Sequence, residues 1–438
     1  MNGGMYVDKL GMVNGIQISE RYWQRASSLI PCGTQCLSKG PTQFIEGYAP
    51  KYLARGDGCI VTDVDENRFI DYGMGLGAVS LGYHYPTVNS AIINQLNEAI
   101  TLTMMHPLEV EVSELIREVI PCAESVRFGK NGSDVTSAAV RLARAYTRRD
   151  IILCGGYHGW HDWYVITTDR NAGIPPVLEG LTKKFSYNDI DSLRMLINKY
   201  KGRVAAVIME PVGVIHPQPN FLADVKQLAH DNGALLIFDE VLTGFRIALG
   251  GAQQYYGVTP DLATFGKAVA NGMPLSILTG KAEIMSELEN VFFSFTFGGE
   301  MLSLASAKAT IEEMKTHRTI DHVNAMGKLL MEQGNAIIEK HGLSERISIQ
   351  GPRAKTLFVY RESPDTLLIK SFLQQEMIRR GILFTSYNYV SYSHKEEQIQ
   401  YTLDVLEDSL SELSKAMKQN KLVEKLEGKA VAPVFRKA

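Results

Sequence analysis

Residues 204–240 read VAAVIMEPVGVIHPQPNFLADVKQLAHDNGALLIFDE. Two continuous apolar runs, 204–209 and 234–238, flank a segment, 221–232, whose apolar residues recur at helical spacing until Gly233 stops it. A run that is apolar at every position is what a strand buried on both faces requires. Strand, helix and strand in that order predict a parallel crossover unit. The same alternation extends outward in both directions. Upstream, 88–100 and 108–119 read as helices and 125–128 as a strand. A helix follows over 133–147, with Ala138, Ala139, Leu142 and Ala145 on one face and Arg141, Arg144 and Arg148 on the other, and then a strand at 151–154. Downstream, 262–265 and 275–279 read as strands and 303–315 as a long helix. The expected fold is α/β, a mainly parallel central sheet with helices on both faces, over residues 88–317.

The two ends differ in character. Residues 1–87 are expected to form an N-terminal arm and part of a smaller domain: 1–55 are irregular, and 58–72 (GCIVTDVDENRFIDY) read as a hairpin turning at 63–67. Residues 318–438 are expected to form a small α+β domain, with strands at 346–349 and 355–360 and helices at 366–380 and 396–418. A basic tail over 421–438 closes the chain.

Composition excludes several classes. With 438 residues and a net charge of −3, the chain lacks the basic excess of a nucleic-acid binder. No apolar run approaches the roughly 20 residues a membrane span needs, and the N-terminal stretch has no basic-then-apolar leader. Five scattered cysteines read as reduced thiols, so a cytoplasmic location is expected. Cys32-x3-Cys36 has no second ligand pair nearby, and His158-x-x-His161 lacks the glutamate of a zincin helix, so no metal site is expected. Gly73-x-Gly75-x-Gly77 does not have dinucleotide-binding spacing.

Three segments at predicted strand ends carry the chemistry, where open α/β sheets bind ligands. Phe128-Gly-Lys-Asn-Gly-Ser-Asp134 runs from strand into helix, with Ser133 expected as the N-cap; it is either a plain cap or a phosphate cup. Asp239 and Glu240 follow a buried strand; an acid there is either a structural cap or a partner for a metal, a proton or a cationic ring. Lys267, in Thr264-Phe-Gly-Lys-Ala268, has apolar neighbours that favour a neutral, nucleophilic amine; the alternative is a surface lysine. Together they supply a phosphate cup, an acid for a pyridinium nitrogen and a Schiff-base lysine, the parts that pyridoxal 5'-phosphate (PLP) demands.

Further motifs extend the pattern: Thr62-Asp-Val-Asp65, Leu81-Gly-Tyr-His-Tyr-Pro86, Asn131-Gly-Ser-Asp134, Tyr157-His158-Gly159, Met209-Glu210-Pro211, Thr243-Gly-Phe-Arg246 and Pro260-Asp-Leu262. With these the chain resembles the class III, fold-type I PLP-dependent aminotransferases over about residues 22–413. Within them it is most similar to the glutamate-1-semialdehyde 2,1-aminomutases. The resemblance implies that Lys267 is the Schiff-base lysine and proton shuttle, and that Asp239 pairs with the pyridine nitrogen. It implies that Val241 and Tyr157 sandwich the ring, that Asn131, Gly132 and Ser133 hold the phosphate, and that His158 and Glu210 lie at the cofactor's edge. Thr296 would reach the phosphate of a neighbouring subunit, which implies a homodimer. At three places the chain departs from the aminomutase pattern: Lys39 stands for a substrate-binding arginine, Ser386 for a glutamate, and Gly299-Glu300-Met301 for Gly-Asn-Pro. The expected activity is a transamination from an amino donor to a carbonyl acceptor, sugar-like or an aldehyde. The alternatives are an aminomutase and a non-catalytic relative that binds without turnover.

Overall fold

The structure, a computed structural model, describes residues 10–432. The last residues of the basic tail, 433–438, and the first nine of the N-terminal arm lie outside it. The chain divides into two units: one holds residues up to Leu76, Leu81–Tyr85 and everything from His322 on, the other Gly77–Ser80 and Pro86–Asp321.

The second unit is built on seven strands: β1 (Ser125–Gly129), β2 (Ile151–Gly155), β3 (Thr182–Lys184), β4 (Val204–Met209), β5 (Leu235–Glu240), β6 (Leu262–Phe265) and β7 (Ser276–Gly280). They lie in the order β1-β7-β6-β5-β4-β2-β3. β2, β3, β4, β5 and β6 pair in parallel, and β7 alone runs antiparallel to both of its neighbours. The expected mainly parallel α/β architecture is therefore the observed one.

Alternation along the strands makes two cores. Ile152, Cys154, Ile208, Leu235 and Ile237 face helix α1 (Gly132–Thr147), which buries Val135, Ala138, Ala139, Leu142 and Ala143 against them. Ile151, Leu153, Val207, Met209, Leu236 and Phe238 face the opposite way, onto helices α2 (Ile190–Lys199) and α3 (Phe221–Asp231). Burying a large apolar side chain contributes roughly 1.5–3 kcal/mol, so a strand apolar at every position anchors both layers. The small residues of α1 let it approach the sheet closely, and that sets its N-terminus at the sheet's carboxyl edge.

The first unit carries a four-stranded sheet, in which Leu53–Asp57, Ile60–Asp63 and Arg68–Asp71 form an antiparallel meander and Ile382–Leu383 adds in parallel. The hairpin turns where the sequence indicates. The Asp63 carboxylate accepts the Asp65 and Asn67 N–H groups at 2.9 and 2.8 Å. A three-stranded antiparallel sheet (Ile347–Gln350, Lys355–Tyr360, Tyr387–Tyr389) and helices Thr366–Arg379 and Glu396–Lys418 complete it. Helix Thr319–Lys340, absent from the sequence reading, lies largely in this unit. Lys39 is exposed here in a short 3-10 turn, and Ser386 is buried at φ +73°.

Candidate active site

The residues expected to contact the cofactor, Thr296 apart, lie at or just after the carboxyl ends of β1, β2, β4, β5 and β6, and side-chain contacts tie several of those ends together. Asp239, on β5, is 5% exposed. Its Oδ2 lies 2.8 Å from His158 Nδ1, and its Oδ1 accepts the Val241 N–H at 3.2 Å and the Thr264 hydroxyl at 3.4 Å. His158 is packed between rings, stacked on Trp163 at 5.9 Å and edge-on to Tyr164 at 5.4 Å. The acid is thus held from three elements with its orientation set before any ligand arrives.

Glu240, its neighbour, has a different task. Its carboxylate accepts the Ala252 and Gln253 N–H groups, the Gln253 amide and the Thr243 hydroxyl. It ties down the start of the short helix Gly251–Tyr256, and burial pushes its pKa up. Of the two acids, Glu240 is the structural one.

Glycines bring the remaining segments into contact. A Cβ on Gly132 would meet Val241 Cγ1 at 2.9 Å, and one on Gly266 would meet the same atom at 3.4 Å. Val241 therefore sits between the start of α1 and the turn that carries Lys267. Gly159, at φ +96°, lies so close to Ser133 that a Cβ would be 2.1 Å from its hydroxyl. Tyr157 N–H donates to Glu210 Oε2 at 3.0 Å, and the Tyr157 ring, 56% exposed, stands edge-on to Tyr164 at 5.6 Å.

Lys267 opens a 3-10 turn, Lys267–Ala270, at φ +44°, a left-handed conformation a non-glycine residue rarely holds. The turn is pinned from outside. The Ser80 hydroxyl donates to Ala268 O at 2.8 Å, the Ser306 hydroxyl to Ala270 O at 2.8 Å, and Asn271 Oδ1 accepts Ser80 N–H at 3.0 Å.

One expectation is corrected. Ser133 is not the N-cap of α1; Asn131 is, and the helix begins at Gly132. Asp134 reaches back to accept the Asn131 N–H at 2.7 Å, which fixes the N-cap two residues before the serine. The Ser133 hydroxyl instead accepts the Trp160 N–H at 3.2 Å. Thr296 sits apart from this network, exposed in a segment with Phe292, Phe295 and Phe297, which are 77%, 37% and 58% exposed. Thr264, Trp160 and Trp163 were not assigned from sequence. Only Thr264 had a usable signal, its place at the end of a strand beside the acid.

A helix N-terminus, a buried oriented acid and a lysine in a strained turn just after the strand next to the acid, all at the carboxyl edge of a mainly parallel sheet, define a fold-type I PLP-dependent transferase. The class III aminotransferase family model matches residues 46–410, and the chain belongs to that family. It is 35% identical over 407 residues to the 3-aminobutyryl-CoA aminotransferase of Cloacimonas acidaminovorans, covering 90% of this chain and 97% of that protein. It is 33% identical over 421 residues to the glutamate-1-semialdehyde 2,1-aminomutase of Methanosarcina acetivorans, covering 90% and 98%. Among solved structures, the FumI protein of Sphingopyxis sp. MTA144 in its PLP internal aldimine form superimposes with a TM-score of 0.86 at 27% identity, covering 91% of this chain and 97% of that one. The chain is accordingly a PLP enzyme of the aminotransferase type. The site fits that cofactor on its own geometry: glycines line the path from α1 to the lysine turn, and the acid is buried and aimed by His158.

Proposed function

We propose that the protein transfers an amino group from an amino donor to a carbonyl acceptor, with Lys267 as the residue that binds the cofactor and moves the proton. The observation that carries this reading is the juxtaposition of Asp239 on β5, oriented by His158 from the segment after β2, with the strained Lys267 turn that follows β6. PLP, when bound, supplies the electron sink that makes the donor's Cα–H acidic. Asp239 would face the ring nitrogen, and Thr264 and His158 keep it from turning away. Asn131, Gly132 and Ser133 present the N-terminus of α1 to the phosphate. Val241 would fill one side of the ring and Tyr157 would cover the other, while Glu210 holds the Tyr157 backbone. Lys267 Nζ would take the proton from the donor's Cα as a base and, as an acid, deliver it to the cofactor end of the same carbon–nitrogen linkage and not back to Cα.

The aminomutase reading keeps the same residues and is favoured by the 33% identical relatives that carry that name. The two are separated by substrate need: an aminomutase turns over one substrate alone, a transaminase needs donor and acceptor and shows ping-pong kinetics.

A homodimer is part of the reading. Ile93, Leu96, Ile100, Leu102, Met104 and Met105 are each at least 46% exposed on or just after one helix (Pro86–Glu98), and Phe292 and Phe297 are exposed as well, apolar side chains of the kind a partner subunit covers. We place the protein in the cytoplasm, since all five cysteines are free. Among the described residues no helix is long and apolar enough to cross a membrane.

The test is an absorption spectrum of the PLP-loaded protein titrated with glutamate, alanine, 3-aminobutyrate and glutamate 1-semialdehyde. A visible band that one donor bleaches, and that the Lys267→Ala variant lacks, is the expected result. A K267A variant with the same band and full turnover refutes the assignment.

A further inference from the structure

Lys130 precedes the phosphate turn, and Glu300 is the N-cap of helix α4 (Met301–Thr316), in the position where the chain departs from Gly-Asn-Pro. The two side chains meet, only 15% and 11% exposed, with Lys130 Nζ 2.9 Å from Glu300 Oε2 and 3.2 Å from Ser303 Oγ. Glu300 Oε1 accepts Leu302 N–H at 2.7 Å, and Oε2, the oxygen that meets Lys130, also accepts Ser303 N–H at 3.3 Å and the Ser303 hydroxyl at 2.6 Å. Burial alone would raise its pKa. The Ser303 hydroxyl, Lys130 and the Leu302 N–H outweigh burial and hold it below the ordinary value.

The backbone of the same turn is held independently, since Asp134 accepts the N–H groups of Lys130 and Asn131 at 3.3 and 2.7 Å. The turn is thus clamped by its backbone on one side and by the Lys130 side chain on the other. The second clamp ends four residues after Thr296, in the segment expected to serve the phosphate of the neighbouring subunit.

We infer that Lys130 and Glu300 are a positioning pair for the cofactor's phosphate: they lock the 130–133 turn to the Thr296–Glu300 segment. This inference rests on the PLP reading above. Neither residue touches the reacting atoms, so the pair acts on phosphate grip and leaves ring chemistry alone. A surface ion pair would contribute little. A buried one whose partner is removed leaves an uncompensated charge that drags the backbone it is attached to.

The experiment compares binding of PLP and of pyridoxal, which lacks the phosphate, to wild type, Lys130→Met, Lys130→Arg and Glu300→Gln. Outer residues that orient a binding group typically change affinity by roughly 10–100-fold. The expected result is a loss of PLP affinity in that range for K130M, partial recovery in K130R, and pyridoxal affinity within about twofold of wild type. The visible spectrum at saturating PLP is expected to be unchanged. If K130M does not fold, E300Q carries the same comparison. Equal losses for PLP and pyridoxal would make the pair a general fold element and overturn the inference, as would no loss for either. Wild type that binds neither molecule would instead overturn the PLP reading itself.

Discussion

Gly159→Ala is the perturbation whose size the structure sets most directly. The residue sits at φ +96°, and a Cβ there would lie 2.1 Å from Ser133 Oγ and 2.8 Å from Ser133 Cβ. Two costs add. A side chain held at positive φ costs of order 1–3 kcal/mol, and forcing an extra methyl into a packed site costs typically 1–3 kcal/mol more. Gly173 supplies the control, because it sits at φ +85° with nothing within 4 Å of its would-be Cβ. Alanine there incurs the backbone cost alone. The difference between the two variants, about 1–3 kcal/mol, is the steric part. It is measured as the difference in urea unfolding free energy of the cofactor-free proteins, followed by tryptophan fluorescence. Relief of the clash moves the Ser133 hydroxyl, which the Trp160 N–H otherwise holds at 3.2 Å. PLP affinity should therefore fall in G159A and stay unchanged in G173A. Should G159A unfold at the same denaturant concentration as G173A and bind PLP as tightly as wild type, the close approach of the two loops is not real.

Two further outcomes follow from the same contacts. Asp239→Asn keeps the shape of the buried acid and removes its charge; kcat should fall by roughly 10²–10³-fold with the cofactor still bound, and a fall of only a few-fold would sink the role given to Asp239. Asp261 is 2% exposed, and although burial raises its pKa, Lys281 at 2.7 Å, the Leu236 N–H at 2.8 Å and His230 at 2.8 Å together hold it below the ordinary value. Its folded pKa is depressed, so its stabilisation is present above the ordinary aspartate value, about 4, and is lost as pH falls through the depressed one. Asp261→Asn should cost about 1–3 kcal/mol at neutral pH, and its stability curve should meet that of wild type in acid; curves that stay parallel down to low pH would refute the linkage.

Most of the sheet was legible because β2, β4 and β5 are buried on both faces and advertise it by continuous apolar runs, and β6 by a short run broken only at Thr264. Helix Thr319–Lys340 was not, and its glycines show why. A Cβ on Gly327 would lie 1.8 Å from Arg353 O, and one on Gly334 would lie 2.5 Å from Ile349 Cδ1. Both positions lower helix propensity, and both are demanded by close contact with the 347–353 segment, which no local pattern reveals. Helix Ile190–Lys199 did carry a signal that went unread: Asp189 caps it through the Ser192 N–H at 3.0 Å, and Leu193 and Ile197 recur one turn apart. The site was legible as strand-end motifs. The joining contacts were not, since Trp163 under His158 and Gly159 against Ser133 depend on how the 156–163 loop folds back over α1.

The adjacent acids Asp239 and Glu240 show where sequence reasoning reached its limit and what carries it further. Both end the same apolar run, so composition treats them alike. A strand sends successive side chains to opposite faces. Leu235 and Ile237 pack toward α1, so Asp239 projects on that side, where the helix N-terminus, His158 and Thr264 converge. Leu236 and Phe238 pack toward α2 and α3, so Glu240 projects on the other side and meets four donors around the start of helix Gly251–Tyr256. The acid proposed to serve the cofactor is therefore the one that shares a face with α1, whose N-terminus follows the proposed phosphate turn. That rule needs only the period of the strand and the face of the sheet on which α1 lies. It assigns the acid to the α1 face, and the acid next to it to the task of keeping β5 and the following helix in register.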